Sequence, residues 1–193
     1  MPLILMMVLL IPSVAVRAND EEYFPLAKGN ERIAEITTRL PDGTSETAKV
    51  HGTVVEAVER DGRTYWRVKN EISGDMQSTW TVLNRRDDSG VYVVFEQFAD
   101  AKEQRAIVFP LTVGSTWEFN NANKMNRVTV AGFENVTVGN RTYQKCVHLH
   151  MESEDGKIYE RWSAPNVGEV KAEVTYPNGS KSLMTLKEFK PGK

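Results

Sequence analysis

The chain has 193 residues, 24 Lys plus Arg against 26 Asp plus Glu, a formal net charge of −2, and one cysteine. With no basic patch or stripe, nucleic acid and anionic membrane surfaces are poor partners. A single cysteine leaves no internal disulfide, so the fold must be held by a core.

The chain opens with the apolar run "MPLILMMVLLIPSVAVRA". Val16 and Ala18 put small residues at −3 and −1 before Asn19, the pattern of a secretory signal peptide cleaved after Ala18. The run has no Lys or Arg before Arg17, is interrupted by Pro12, and is shorter than the ~20 residues that span a bilayer. No Cys stands near the cleavage site for a lipid anchor. The expectation is a secreted or periplasmic protein with no stable membrane insertion after cleavage. Asn19 to Lys193 is 175 residues, 23 basic and 26 acidic, a net of −3. A chain this long buries roughly 70% of its unfolded surface, which is enough for a core.

Along the chain the hydrophobic period is two, not 3.6. "KVHGTVVEAVE", "RTYWRVKNEI", "GVYVVFEQF", "RVTVAGFENVTV", "KCVHLHM", "KIYERWSA" and "GEVKAEVTY" all read as strands. Turn chemistry separates them: Pro41-Asp42-Gly43, Asp61-Gly62, Ser89-Gly90, Gly139-Asn140, Asp155-Gly156 and Pro177-Asn178-Gly179. Helix is confined to short turns, expected over 19–23 and over "DAKEQRA" at 100–106. The predicted fold is all-β, an antiparallel meander forming a curved sheet or half-barrel.

Landmarks recur in order along the chain. Phe24-Pro25-Leu26 with Gly29 returns as Phe109-Pro110-Leu111 with Gly114. Val50-x-Gly52 returns as Val130-x-Gly132, Arg63-Thr64-Tyr65 as Arg141-Thr142-Tyr143, Trp80 as Trp162, and Gly90-Val91 as Gly168-Glu169-Val170. This order predicts a duplicated unit, 19–107 followed by 108–193 in one continuous domain, with about five strands in each copy. In the motif itself, Pro lacks an N–H and suits the start of a strand, Phe and Leu are core anchors, and Gly allows a sharp turn. The correspondence breaks at one position, where Trp117 of the second copy stands opposite Arg32 of the first.

Tyr23-Phe24-Pro25-Leu26-x-x-Gly29, Trp162-x-Ala164-Pro165-x-Val167-Gly168-x-Val170 and the terminal Leu186-x-x-Phe189 together resemble secreted bacterial proteins of unknown function. These have Phe-Pro-Leu-x-x-Gly repeats and a half-barrel sheet similar in shape to periplasmic lipoprotein carriers. The resemblance covers most of residues 23–189. It implies an exported, non-enzymatic β-domain and, more specifically, an apolar ligand. Arg32 and Ala34 depart from it, replacing aromatics that usually follow the first Gly. The carriers use helical lids, and no segment of this chain reads as one.

Chemistry-bearing residues are few. On a strand, Cys146, His148 and His150 share one face and Val147, Leu149 and Met151 the other. Alternate residues ~6.5–7 Å apart can begin a metal site if a neighbour such as Glu160, Glu152 or Tyr159 completes it. The alternative, taken here, is a solvent-facing His pair over a buried row, with no metal and no cofactor assigned. Carboxylates at 20–22, 87–88, 152 and 154–155 fall in turns or the N-terminal arm and read as solvated. No nucleophile-elbow, zincin or phosphate-loop motif occurs, so no catalytic residue is assigned.

Trp66, Trp80, Trp117, Trp162, Phe95, Phe98, Phe119, Phe133 and Tyr159 are candidates for core packing or for the lining of a concave apolar face. The functional expectation is an exported cell-envelope binding or scaffold protein, not an enzyme, with a hydrophobic or lipid-like small ligand. The alternative is an interaction module that engages another envelope protein through sheet edges. A metal-dependent enzyme built on Cys146, His148 and His150 is the third reading.

Overall fold

The computed structural model describes residues 19–96, 101–121 and 124–192. The expected leader over 1–18 and Phe98 lie outside them. Among the described residues are twelve strands. The first six are β1 (Glu31–Arg39), β2 (Ser45–Arg60), β3 (Arg63–Gly74), β4 (Ser78–Asp87), β5 (Gly90–Phe95) and β6 (Gln104–Val108). The rest are β7 (Thr116–Asn121), β8 (Lys124–Val138), β9 (Arg141–Ser153), β10 (Ile158–Ala164), β11 (Gly168–Thr175) and β12 (Lys181–Lys190). All belong to one antiparallel sheet in the order β6-β5-β4-β3-β2-β1-β12-β11-β10-β9-β8-β7. Two six-stranded meanders are therefore joined where β1 pairs with β12, from Glu31 opposite Lys190 to Arg39 opposite Lys181.

The far edges of the meanders, β6 and β7, come together. The Trp117 Nε1–H of β7 donates to the Ala106 carbonyl of β6 at 2.9 Å, and Ile107 and Phe119 share one buried cluster. The sheet is thus a nearly closed barrel, more complete than a half-barrel. Register shifts beside Val54 and Val130, and between Trp162 and Ser163, are bulges that sharpen the bend of the long strands.

All six turn sequences fall at hairpins between consecutive strands. Asp61 (φ 52°) and Gly62 (φ 70°) supply the two positive φ values that a tight two-residue hairpin of right-handed twist requires. Gly90 sits where a Cβ would lie 2.0 Å from the Ile107 carbonyl oxygen, so any side chain there would push β6 away from β5.

The 3₁₀ turn expected near the N-terminus is present at Asp20–Tyr23. Of the helical turn expected over 100–106, residue 100 lies outside the described residues and 101–106 form no helix. Residues 101–103 are irregular and Gln104 opens β6, because pairing with β5 and burial of Ile107 (6% exposed) outweigh the helical propensity of Ala, Lys, Glu and Gln. Each meander has six strands, against the about five expected. The two Phe-Pro-Leu segments precede β1 and β7, the opening strands of the two meanders. Tyr65 and Tyr143 stand near the starts of β3 and β9, and Trp80 and Trp162 lie in β4 and β10.

Side chains alternate across the strands. Inward rows from both meanders form the main core around Val91, Ile107, Phe119, Val128, Val130, Val147, Leu149 and Met151. Two further clusters lie on the outer face. The tip of the β8–β9 hairpin (Val136, Val138, Tyr143) packs on Cys146, Trp162, Ala164, Val170 and Leu186. Val58 and Tyr65, at the tip of the β2–β3 hairpin, pack on Leu83 and Val94. Long hairpins bent over their own sheet bury apolar area that a single-layer barrel would leave wet.

Candidate functional site

The barrel holds a cavity of about 460 Å³, partly open to solvent and lined from both meanders. This lies within the roughly 300–1,000 Å³ of small-molecule sites. Its walls come from inward stripes of alternate residues: Gly52 and Val54 on β2, Val68 and Asn70 on β3, and Trp80, Val82 and Asn84 on β4. Phe119, Val128, Leu149 and Met151 line the opposite side.

The residues before β1 cross one end of this cavity and link strands on opposite sides of the barrel. On one side the Asn166 N–H, between β10 and β11, donates to the Glu22 carbonyl at 2.7 Å. On the other, Arg86 of β4 donates from Nη1 to the Glu21 and Phe24 carbonyls, each at 2.8 Å, and its Nε lies 3.2 Å from the Glu21 carboxylate. The Tyr23 hydroxyl donates to the Lys145 carbonyl at 2.9 Å, and Tyr23 is only 2% exposed. The Asp20 carboxylate accepts from the Leu111 N–H at 2.9 Å. The two Phe-Pro-Leu segments meet here, with the Phe24 and Phe109 rings 6.1 Å apart. The carboxylates of Asp20 and Glu21, expected to be solvated, instead tie this strap down.

The cavity wall carries charge. Glu169 of β11 is bonded to the Arg161 Nε of β10, and the Arg32 Nη1 of β1 lies 3.8 Å from its other carboxylate oxygen. Burial pushes the Glu169 pKa up, but the two guanidiniums outweigh burial and hold it below the usual carboxylate range. Asn30, Asn70, Asn84 and Ser163 add neutral polar groups to the lining. Glu31 also lines the cavity, and its carboxylate is shared by His51 at 3.8 Å and Lys190 at 3.9 Å.

With this geometry, two solved structures are similar over almost their whole length. A protein assigned as exported, with a YmcC-like fold, from Bacteroides fragilis aligns with a TM-score of 0.56 at 14% identity, covering 88% of this chain and 99% of that one. A protein assigned as a lipoprotein, from Parabacteroides distasonis, aligns with a TM-score of 0.54 at 12% identity, covering 87% and 98%. The likeness is one of fold. No protein-family model matches the chain, and no curated protein matches it.

The face formed by Cys146, His148 and His150 lies outside the barrel, as the alternation predicts. Cys146 is fully buried under the β8–β9 tip, and burial pushes its thiol up to about 11. His148 Nε2 and His150 Nδ1 each lie 2.7 Å from one oxygen of Glu160. His148 also stacks on Trp162 at 4.4 Å and lies 3.3 Å from Glu134, which accepts from Trp162 Nε1 at 2.6 Å. Glu160 and Glu152 are within reach, as the spacing suggested. Each carboxylate is engaged in hydrogen bonding or ion pairing with a ring nitrogen, and Cys146 faces the apolar cluster. Among the described residues, no group of three or more His, Cys, Asp or Glu is arranged to hold a metal ion.

The aromatic candidates divide. Trp80 and Phe119 line the cavity. Trp117 holds the seam, Trp162 sits in the outer cluster, Tyr159 packs on the main core, and Trp66 and Phe95 are half-buried. Phe133 is 42% exposed, with its ring 6.0 Å from that of Tyr23. Asn70, Asn84 and Arg161 were missed as cavity residues. The signal was available in the period-two pattern, since Asn70 shares parity with Val68, Asn84 with Val82, and Arg161 with Tyr159. Arg32 was marked only by the break in the repeat.

Proposed function

We propose that this is an exported cell-envelope protein, secreted or periplasmic, whose barrel binds a hydrophobic, lipid-like small ligand. The observation that carries this reading is the cavity, about 460 Å³, walled largely by Val, Leu, Met, Phe and Trp side chains from both meanders. An apolar cavity of this size is the usual form of a small-molecule site. The leader pattern supports export, as do the descriptions of the two similar structures as exported and as a lipoprotein. The reading assigns no reaction: the His148–Glu160–His150 group lies on the outer face, away from the cavity. β6 and β7 face each other across the Trp117 bond, so a strand added at either edge would have to displace that contact, which favours ligand binding over an edge-mediated module.

The test is native mass spectrometry of the chain expressed with its own leader and purified from the exported fraction without detergent. A companion mass of a few hundred daltons, lost on denaturation and recovered by solvent extraction, is expected. A bare mass under both conditions, together with no uptake of an added apolar probe, overturns the reading.

A further inference from the structure

The cavity's charged centre narrows the ligand class. This step rests on the reading of the barrel as a ligand carrier and specifies the ligand's head. Three charged side chains meet in the wall: Arg32 from β1, Arg161 from β10 and Glu169 from β11. One carboxylate faces two guanidiniums, so one positive charge is left over. The remaining acidic liner, Glu31, is already between His51 and Lys190 and does not offset it.

The geometry is uneven. Glu169, only 11% exposed, is bonded closely by Arg161, whereas Arg32 stands off at 3.8 Å with its side chain 32% exposed. Arg32 is thus held beside the cavity by a carboxylate that is chiefly committed to another arginine. A guanidinium has five donors in a planar fork suited to a carboxylate or phosphate. Beside apolar walls, such a group with donors to spare selects an anion. Arg32 is also the residue at which the repeat breaks. At the matching second position of β7 stands Trp117, which closes the seam with its indole N–H. The first meander carries a cation where the second carries a structural aromatic. Val54, Val82, Phe119 and Leu149 line the same cavity.

We infer that the barrel takes a single-chain amphiphile with an anionic head, its chain along the apolar stripes and its head on Arg32 and Arg161. The cavity volume is that of one drug-sized molecule, which favours one chain over a two-chain lipid. Carboxylate and phosphate heads share the required chemistry.

Isothermal titration of the exported, detergent-free protein, with ligand stripped by solvent extraction and refolding, tests this with four ten-carbon probes kept below micelle formation: decanoate, decyl phosphate, decanol and decyltrimethylammonium. Decanoate or decyl phosphate should bind at least about tenfold more tightly than decanol, a ratio set by one charge-assisted contact. The cation should bind most weakly. The stronger of the two anions tells a fatty-acid-type head from a phosphate-type head. Arg32→Gln should remove the anion preference, bringing anion binding down to that of decanol, whereas Glu169→Gln, which frees both guanidiniums, should strengthen it. These opposite signs separate head recognition from a general folding defect. Equal binding of all four probes, or an anion preference untouched by Arg32→Gln, overturns the inference and leaves the carrier reading standing. Failure of every probe, decanol included, overturns both.

Discussion

Arg86 is the residue whose loss should loosen the N-terminal strap. Its guanidinium donates to two backbone carbonyls, of Glu21 and Phe24, each at 2.8 Å, and its Nε lies 3.2 Å from the Glu21 carboxylate. Arg86→Met keeps the apolar stem and removes the donors. A hydrogen bond from a charged group contributes about 1.5–3 kcal/mol. Arg86 is 27% exposed, which places each bond near the lower end, so two bonds give a loss of about 3 kcal/mol. With a urea m-value of about 2 kcal/mol/M, the midpoint should fall by about 1.5 M. The strap retains Tyr23 in the core, so the variant should still fold, and the change should be largest locally. Hydrogen exchange at the Asn166 amide, which donates to Glu22, should accelerate more than exchange in β9. A midpoint shift under about 0.3 M, with Asn166 exchange unchanged, would refute the argument that Arg86 anchors the strap.

Three further outcomes follow from other parts of the fold. Cys146, fully buried with its thiol pushed up to about 11, should resist Ellman's reagent at pH 8 in the native protein and react once denatured; rapid native labelling would contradict its burial. His150 has its pKa raised, first by its bond to Glu160, with burial opposing and Glu152 adding. Its stabilising contribution should therefore be complete below pH 6.5, the unperturbed histidine value, and fade as pH climbs through the raised pKa. In Glu160→Gln an NMR titration should show that pKa falling, and an unchanged midpoint would sink the assignment. Trp117→Phe deletes the indole bond across the β6–β7 seam at a cost of about 1 kcal/mol. Amides of β6 and β7 should exchange faster while β1 and β12 stay protected, and uniform acceleration would argue that the barrel opens elsewhere.

Much of the local architecture is legible in residue order alone. Hairpin turns are encoded by side chains that tolerate positive φ, as at Asp61-Gly62, and a period of two assigns Val147, Leu149 and Met151 to one face and Cys146, His148 and His150 to the other. These are short-range properties, fixed by backbone sterics and by pleat geometry. The repeated landmarks also come from sequence, including the position where Arg32 replaces an aromatic.

What the tertiary structure alone decided is which faces and edges meet. Alternation puts Asn70 with Val68 and Asn84 with Val82 but does not reveal a cavity, so both read as ordinary polar positions until the sheet curls around them. The pairing of β1 with β12 joins residues some 150 apart in sequence (Arg32 opposite Phe189), and no local signal specifies that contact. The same closure brings Arg32, Arg161 and Glu169 from three strands to one wall, and it folds the acidic N-terminal arm across the barrel end instead of leaving it in water. The charged centre and its strap depend on chain closure, because only long-range packing brings separate strands and the N-terminal arm to one place.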